Sequence, residues 1–193
     1  MNKQRIAIFA SGTGSNAVKL IKQFEGHPTI EVAFVLSNKE GAKVLSSATQ
    51  LGVNAWYHSN EAVSNGEFLV RLMTENKVDW IILAGYLRLI PSELIASFNG
   101  RIINLHPSLL PKYGGKGMYG RNVHEAVLAN NENESGISIH YVNERFDEGA
   151  MIAQFYCHVA STDKIDDLEG KIRVLEHTYF PLVVEHTILN TKK

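Results

Sequence analysis

The sequence predicts an α/β fold: a mostly parallel, twisted sheet with helices on both faces and one or more antiparallel strands in the C-terminal half. Three observations predict it. Short apolar runs alternate with helix-period segments, in units of about 25 residues, from Ile6 to His106, which is the signature of βαβ units. The most apolar run, Trp80-Ile81-Ile82-Leu83-Ala84, reads as a strand buried on both faces and therefore central. After Lys112 the pattern changes to two alternating runs, Ser135 to Val142 and Ala150 to Val159, joined by the hairpin-like loop Asn143 to Gly149.

The elements follow in order. Ile6 to Ala10 is a buried strand that meets the loop Ser11-Gly12-Thr13-Gly14-Ser15-Asn16. A helix follows with Val18, Leu20, Ile21 and Phe24 at helical spacing, stopped by Gly26-His27-Pro28. Ile30 to Leu36 is the second strand, residues 40 to 51 the second helix closed by Gly52, and Val53 to Tyr57 a short third strand. A helix is expected from Glu61 to Asn76, carrying Phe68, Leu69, Leu72 and Met73 on one face. Pro91 opens the next helix in its first turn, where proline is tolerated, and Asn99-Gly100 ends it. Arg101 to His106 is a strand, and Lys112 to Arg121, with four glycines, reads as a mobile surface loop. A helix near Asn122 to Asn130 and a long one from Ile165 to Leu189, with Pro181 as an expected kink, complete the chain.

Composition narrows the function classes. With 193 residues the chain suits one domain burying roughly 70% of its unfolded surface. A formal net charge of −1 gives no basic excess for nucleic acid, and no basic–aromatic interleaving supports one. No apolar run reaches ~18 residues, so no membrane span is expected, and the N-terminal strand is too short for a signal-peptide core. The single cysteine, Cys157, excludes an internal disulfide and fits a reducing cytoplasm; its alternating apolar run marks it as a core residue. No metal-ligand spacing occurs, so no metal site is expected. The sequence leaves both a monomer and a homodimer open.

The chemistry-bearing stretch is Asn104-Leu105-His106-Pro107-Ser108-Leu109-Leu110-Pro111. Asn104 and His106, two residues apart on a strand, leave its C-terminal end on the same side. Pro107 holds His106 extended, and the two prolines end the strand. An amide beside an imidazole at a strand end suits catalysis; the plainer alternative is a polar edge that carries a histidine. In open α/β sheets ligands bind outside the carboxyl ends of the strands. Two further polar clusters fall there, Ser11 to Asn16 and Ala84 to Arg88.

Gly12-Thr13-Gly14-Ser15-Asn16-Ala17 fits G-x-G-x-x-A between strand and helix. A dinucleotide site also wants a carboxylate after the second strand, where this chain has Leu36-Ser37-Asn38, so a single phosphate suits the loop better than a pyrophosphate. The alternative is a glycine turn used for packing alone. Asp147, in a glycine-flanked loop, would raise the pKa of a nearby imidazole, and is otherwise an ordinary turn former. Arg88, beside an apolar Leu87, Leu89 and Ile90, is either a solvated charge or part of a cleft wall. His124 and His140 are weaker candidates; His140 shares the parity of Ser138 on its strand.

These motifs occur in order: Ser11 to Asn16, Leu83 to Arg88, Asn104 to Tyr113, and Asp147-Glu148-Gly149. Together they resemble the folate-dependent formyltransferases over nearly the whole chain, from Ile6 to Leu189, and the Ser-Gly-x-Gly-Ser-Asn loop narrows the likeness to the glycinamide ribonucleotide branch. The resemblance implies a Rossmann-like formyltransferase domain over residues 1–193, with a nucleotide-binding N-terminal half and a folate-binding C-terminal half. It implies formyl transfer from 10-formyltetrahydrofolate, as co-substrate, to the amine of glycinamide ribonucleotide in de novo purine biosynthesis. On the family's pattern His106, Asn104 and Asp147 are catalytic. Leu87, Arg88, Leu89 and Ile90, with Asn143, Glu144, Arg145, Phe146 and Asp147, line the folate pocket together with Asn104. Gly14, Ser15 and Asn16, continued by Ala17 and Val18, hold the phosphate, and Glu176 with Arg173 approaches the glycinamide end. A cis Leu110-Pro111 bond is also implied.

Chemistry supports the trio independently. Amine attack on the formyl carbon creates an oxyanion suited to the Asn104 amide, and the leaving folate nitrogen needs a proton from His106. Asp147 is expected to hold His106 charged.

Two departures from the family stand out. The Gly114 to Gly120 loop is longer than the usual connection, acting either as a lid or only on surface contacts. No basic residue occupies Asn60 to Gly66, which leaves phosphate binding to the Gly14 loop or to a borrowed cation such as Arg121. Competing readings are formyl transfer to methionyl-tRNA or an amino-sugar nucleotide, hydrolysis of formyl-folate, a non-catalytic nucleotide-binding module, and a nicotinamide oxidoreductase. The tRNA enzyme and the hydrolase would need additional domains for which the chain has no room, and the module has no need of the trio. The oxidoreductase lacks its carboxylate.

Overall fold

The computed structural model describes residues 3–191. Seven strands form one sheet in the order β3-β2-β1-β4-β5-β6-β7: β1 (Gln4–Phe9), β2 (Ile30–Ser37), β3 (Ala55–Tyr57), β4 (Trp80–Leu83), β5 (Ile102–His106), β6 (Glu134–Tyr141) and β7 (Met151–His158). The first five are parallel; β6 runs antiparallel to β5, and β7 antiparallel to β6. β4 is the middle strand, as its unbroken apolar run predicts.

Alternation along the strands feeds two cores. Ile6, Ile8, Ile82, Ile103 and Ile139 face α1 (Ser15–Phe24), α2 (Lys43–Gln50) and α7 (Ile165–Asn190). Ala7, Phe9, Ile81, Leu83 and Ile102 face α3 (Asn60–Ser64), α4 (Gly66–Glu75) and α5 (Ser92–Ser97). Phe34 and Phe180, fully buried on opposite faces, each contribute about 1.5–3 kcal/mol by leaving water. Because β1 leads into α1 on one face and β4 into α5 on the other, the loops after β1 and β4 part and open a crevice between them.

Two local expectations are amended. The helix expected over Glu61 to Asn76 is two: Asn65 takes an extended backbone (φ −87°, ψ 105°), ending α3, and its side chain caps α4 by accepting from the Phe68 N–H. The second helix starts at Lys43 because Gly41 sits at φ 69°. α7 spans 26 residues with Pro181 inside it, about 39 Å at the usual rise. α6 (Arg121–Ala129) packs beside α7, and the Leu110-Pro111 peptide is cis. Among the described residues no helix is long and apolar enough to cross a membrane.

Candidate active site

A cavity of about 560 Å³ lies at the carboxyl ends of β1, β4 and β5. It is walled by Thr13, Ser15 and Asn16 after β1, Gly85 to Leu87 after β4, Asn104 to Pro107 from β5, the loop Gly115 to Arg121, Phe146-Asp147, and α7. Three strand ends thus converge as expected.

The α1 terminus is built on Gly14, whose φ of 77° and tight fit against Val44 admit no side chain. Among the described residues no side chain caps this terminus, which leaves its first N–H groups to the cavity edge. Asn16 donates from Nδ2 to Glu176 Oε2 at 2.9 Å, which joins α1 to α7. Burial raises the Glu176 pKa, opposed by that hydrogen bond and by Arg173. Arg173 lines the same wall and pairs with Glu169. Ala17 and Val18 continue α1 beyond the lining, Ala17 being fully buried.

A chain of hydrogen bonds crosses the crevice floor. The Leu87 N–H donates to Ser11 Oγ (3.0 Å), Ser11 Oγ donates to Asn38 Oδ1 (2.5 Å), and Asn38 Nδ2 donates to Asn60 Oδ1 (2.8 Å). Asn60 is thereby occupied with a structural task.

Asn104, His106 and Asp147 meet at the cavity. His106 is buried; its Nε2 donates to the Tyr113 carbonyl at 2.8 Å, and its Nδ1 lies 3.4 Å from Asp147 Oδ2. Asp147 Oδ2 also accepts the Gly115 N–H at 2.9 Å, so the same carboxylate anchors the glycine-rich loop. Asn104 Nδ2 lies 3.1 Å from His140 Nε2 and 3.4 Å from Asp147 Oδ1.

The charge states differ from the expectation. Burial lowers the His106 pKa and outweighs the upward pull of Asp147 and the Tyr113 carbonyl, so the resting ring is neutral. Burial works to raise the Asp147 pKa, but the neighbouring His140 and His106 imidazoles and the Gly115 N–H hold it below the ordinary carboxylate value. The pair at rest is a neutral imidazole beside a carboxylate.

Of the residues expected to hold folate, Leu87 and Phe146 line the cavity as exposed apolar groups, together with Asn104 and Asp147. Arg88 and Leu89 are exposed outside the lining, and Ile90 is buried in the α5-side core. Asn143 makes a turn by accepting the Arg145 N–H, Arg145 pairs with Glu148, and Glu144 is exposed; none of the three lines the cavity. Arg121 is at the rim but already paired, 2.8 Å from Asp166 and 3.6 Å from Glu169.

Sequence reading missed Met118, Tyr119, Glu169 and Ile172 as wall residues and gave His124 little weight. His124, buried on α6, has its pKa lowered by burial, and its Nδ1 has no hydrogen-bond partner. Helical spacing between Glu169, Arg173 and Glu176, which places them on one face of α7, is the signal that would have found that wall.

Comparison with known proteins places the chain in a family. The formyl transferase family model matches residues 4–184. The chain is 36% identical over 189 residues to a chloroplastic phosphoribosylglycinamide formyltransferase of Arabidopsis thaliana, covering 94% of this chain and 64% of that protein. It therefore spans less than two thirds of the length of that plant relative. A phosphoribosylglycinamide formyltransferase of Haemophilus influenzae is 33% identical, over 94% of this chain and 86% of its own. The crystal structure of phosphoribosylglycinamide formyltransferase from Bacillus halodurans superposes with a TM-score of 0.86 at 33% identity, covering 98% of this chain and 97% of that one. With the strand order, the cavity and the family match in agreement, the chain belongs to the formyl transferase family.

Proposed function

We propose that the protein transfers the formyl group of 10-formyltetrahydrofolate to the amine of glycinamide ribonucleotide, a step of de novo purine biosynthesis. The observation that carries this reading is the meeting of Asn104, His106 and Asp147 in one cavity with an uncapped helix start and a second polar wall from α7. The names of the relatives support the same substrates. The chain works in this reading as one cytoplasmic catalytic unit.

The nucleotide occupies the N-terminal half. Backbone N–H groups at Gly14, Ser15 and Asn16, with the dipole of the helix continued by Ala17 and Val18, favour a phosphate, and Arg173 stands beside Glu176 at the glycinamide end. Glu176, oriented by Asn16, meets the glycinamide end. The pterin lies against Leu87 and Phe146, where the segments Arg88 to Ile90 and Asn143 to Arg145 support the two wall loops.

As the amine attacks the formyl carbon, a C–N bond forms and negative charge gathers on the formyl oxygen. Of the two Asn104 amide hydrogens, the one facing Asp147 at 3.4 Å is weakly held and can turn to that oxygen. One such donor is worth about 3 kcal/mol. The attacking nitrogen must lose a proton, and neutral His106 accepts it at Nδ1, where Asp147 stabilises the imidazolium. The same proton passes to the folate nitrogen as its bond to the formyl carbon breaks.

The test is an assay of the purified chain with glycinamide ribonucleotide and 10-formyltetrahydrofolate, alongside His106→Ala. Formylated nucleotide from the wild type and a rate lower by about 10²–10⁴-fold in the variant are expected. No transfer by the wild type overturns the reading.

A further inference from the structure

Antiparallel pairing sets Asn104 directly opposite His140, so their side chains leave the same face of the sheet as neighbours. At His140 the β6–β7 ladder slips: Ile139 faces Ala153, but His140 faces Met151. Beyond the slip, Gly149 packs so closely that an added Cβ would collide with the Tyr141 carbonyl oxygen and come within 3.4 Å of His140 Nδ1. The space that Gly149 leaves keeps that carbonyl beside the imidazole, 2.8 Å from Nδ1.

A carbonyl can only accept, so Nδ1 carries the proton and, in the neutral ring, Nε2 is an acceptor. Asn104 Nδ2 lies 3.1 Å from Nε2 and 3.4 Å from Asp147 Oδ1, whereas that carboxylate oxygen is 3.7 Å from Nε2, beyond hydrogen-bond reach, so the amide and not Asp147 is the partner of Nε2. The reversed amide would turn its oxygen toward two acceptors, so the neighbours fix the amide's orientation. His140 is 1% exposed and makes no claim on the cavity itself.

We propose that His140 is a positioning residue for formyl transfer: its Nε2 takes one hydrogen of the Asn104 amide and thereby aims the other between Asp147 and the oxyanion. This rests on the transferase reading above. Gly149 and the Tyr141 carbonyl set the tautomer, and His140 sets the amide.

Three substitutions separate the roles. His140→Gln retains an acceptor near the Nε2 position, His140→Asn is too short to place one there, and His140→Leu fills space without any. The glutamine variant should keep kcat within about threefold of wild type, whereas the leucine and asparagine variants lose on the order of 10²-fold, the scale of a small misplacement. KM for both substrates should stay within about threefold in all three. Combined with Asn104→Ala, His140→Leu should cost nothing further, because the two act as a unit. Equal kcat in the leucine and glutamine variants, or a full leucine penalty in the Asn104→Ala background, overturns the proposal. If the leucine variant does not fold, glutamine against asparagine decides in the same way. Failure of the transferase reading is distinguishable by NMR of the folded protein: the two Asn104 side-chain amide protons should differ in shift and exchange rate, and His140→Gln should preserve the difference. Indistinguishable protons in the wild type overturn the positioning role whatever the activity.

Discussion

Two glycine-rich loops line the cavity, and they need their glycines for different reasons. Gly14 is buried at φ 77°, and an added Cβ would collide with the side chain of Val44, itself fully buried in the core. Gly115, Gly117 and Gly120 have φ of 92°, 89° and 56°, and an added Cβ at each would meet open space. The first loop is shaped by packing, so its backbone is fixed by the same core that holds the sheet. Of the second loop only Gly114 is fixed by packing, where an added Cβ would collide with Leu110; the rest is shaped by backbone conformation and held at a few points: the Gly115 N–H on Asp147, the Gly117 carbonyl accepting from Asn122, and the Arg121 pair with α7. The Gly14 loop is thus an extension of the core, whereas the other loop is fastened to the Asp147 carboxylate.

That contrast can be broken most severely at Asp147. Asp147→Asn removes the charge beside His106 and weakens the loop anchor, and should lower kcat by about 10²–10⁴-fold. A loss below about tenfold in steady-state assays would mean that the carboxylate serves the loop and not the chemistry. Gly14→Ala should destabilise the fold by about 2–4 kcal/mol in urea titrations, combining overpacking with a left-handed backbone. Gly117→Ala should cost only about 1–2 kcal/mol, the conformational part alone. Equal losses at the two positions would erase the distinction between the loops.

Acid sharpens the comparison at smaller scale. His106 and Asp147 both have lowered pKa values in the folded state, so below their ordinary values the unfolded chain binds protons first. Their stabilising contribution is therefore present above the ordinary imidazole value of 6.5 for His106 and the carboxyl value of 3.8 for Asp147. It is lost as pH falls through the lowered values. Urea midpoints should fall on acidification, and His106→Ala should flatten the part of the decline nearest neutrality. The rate should fall on the same limb, because protonated His106 accepts no proton. The least effect is expected at Arg121, an exposed side chain already paired with Asp166 and Glu169. Arg121→Ala should cost at most ~0.5 kcal/mol and move the nucleotide KM by less than about twofold.

Much of this was legible in the chain itself. Strand–helix alternation and the apolar run at Trp80 gave the parallel half and its middle strand, and the parity of Asn104 and His106 placed both at one strand end. The break at Asn65 was hidden because its apolar spacing continues through it; only the cap on the Phe68 N–H reveals a new start. The neutral state of His106 depends on how deeply it is buried, which no local pattern encodes. Glu176 was found by resemblance alone, since its partner Asn16 is 160 residues away. The role argued for His140 needs the β5–β6 register and the slip beside it, both properties of pairing and not of either strand.

The Ser11 hydroxyl carries a consequence for redesign. It accepts from the Leu87 backbone and donates to Asn38, which in turn reaches Asn60. One buried atom group therefore belongs both to the loop proposed above to receive a nucleotide and to the wall proposed to receive a folate. An engineer who wished to retarget one pocket by grafting a new loop would find the other moving with it. On the proposed reading the two specificities share a single mechanical part, and variation in one has to be matched in the other.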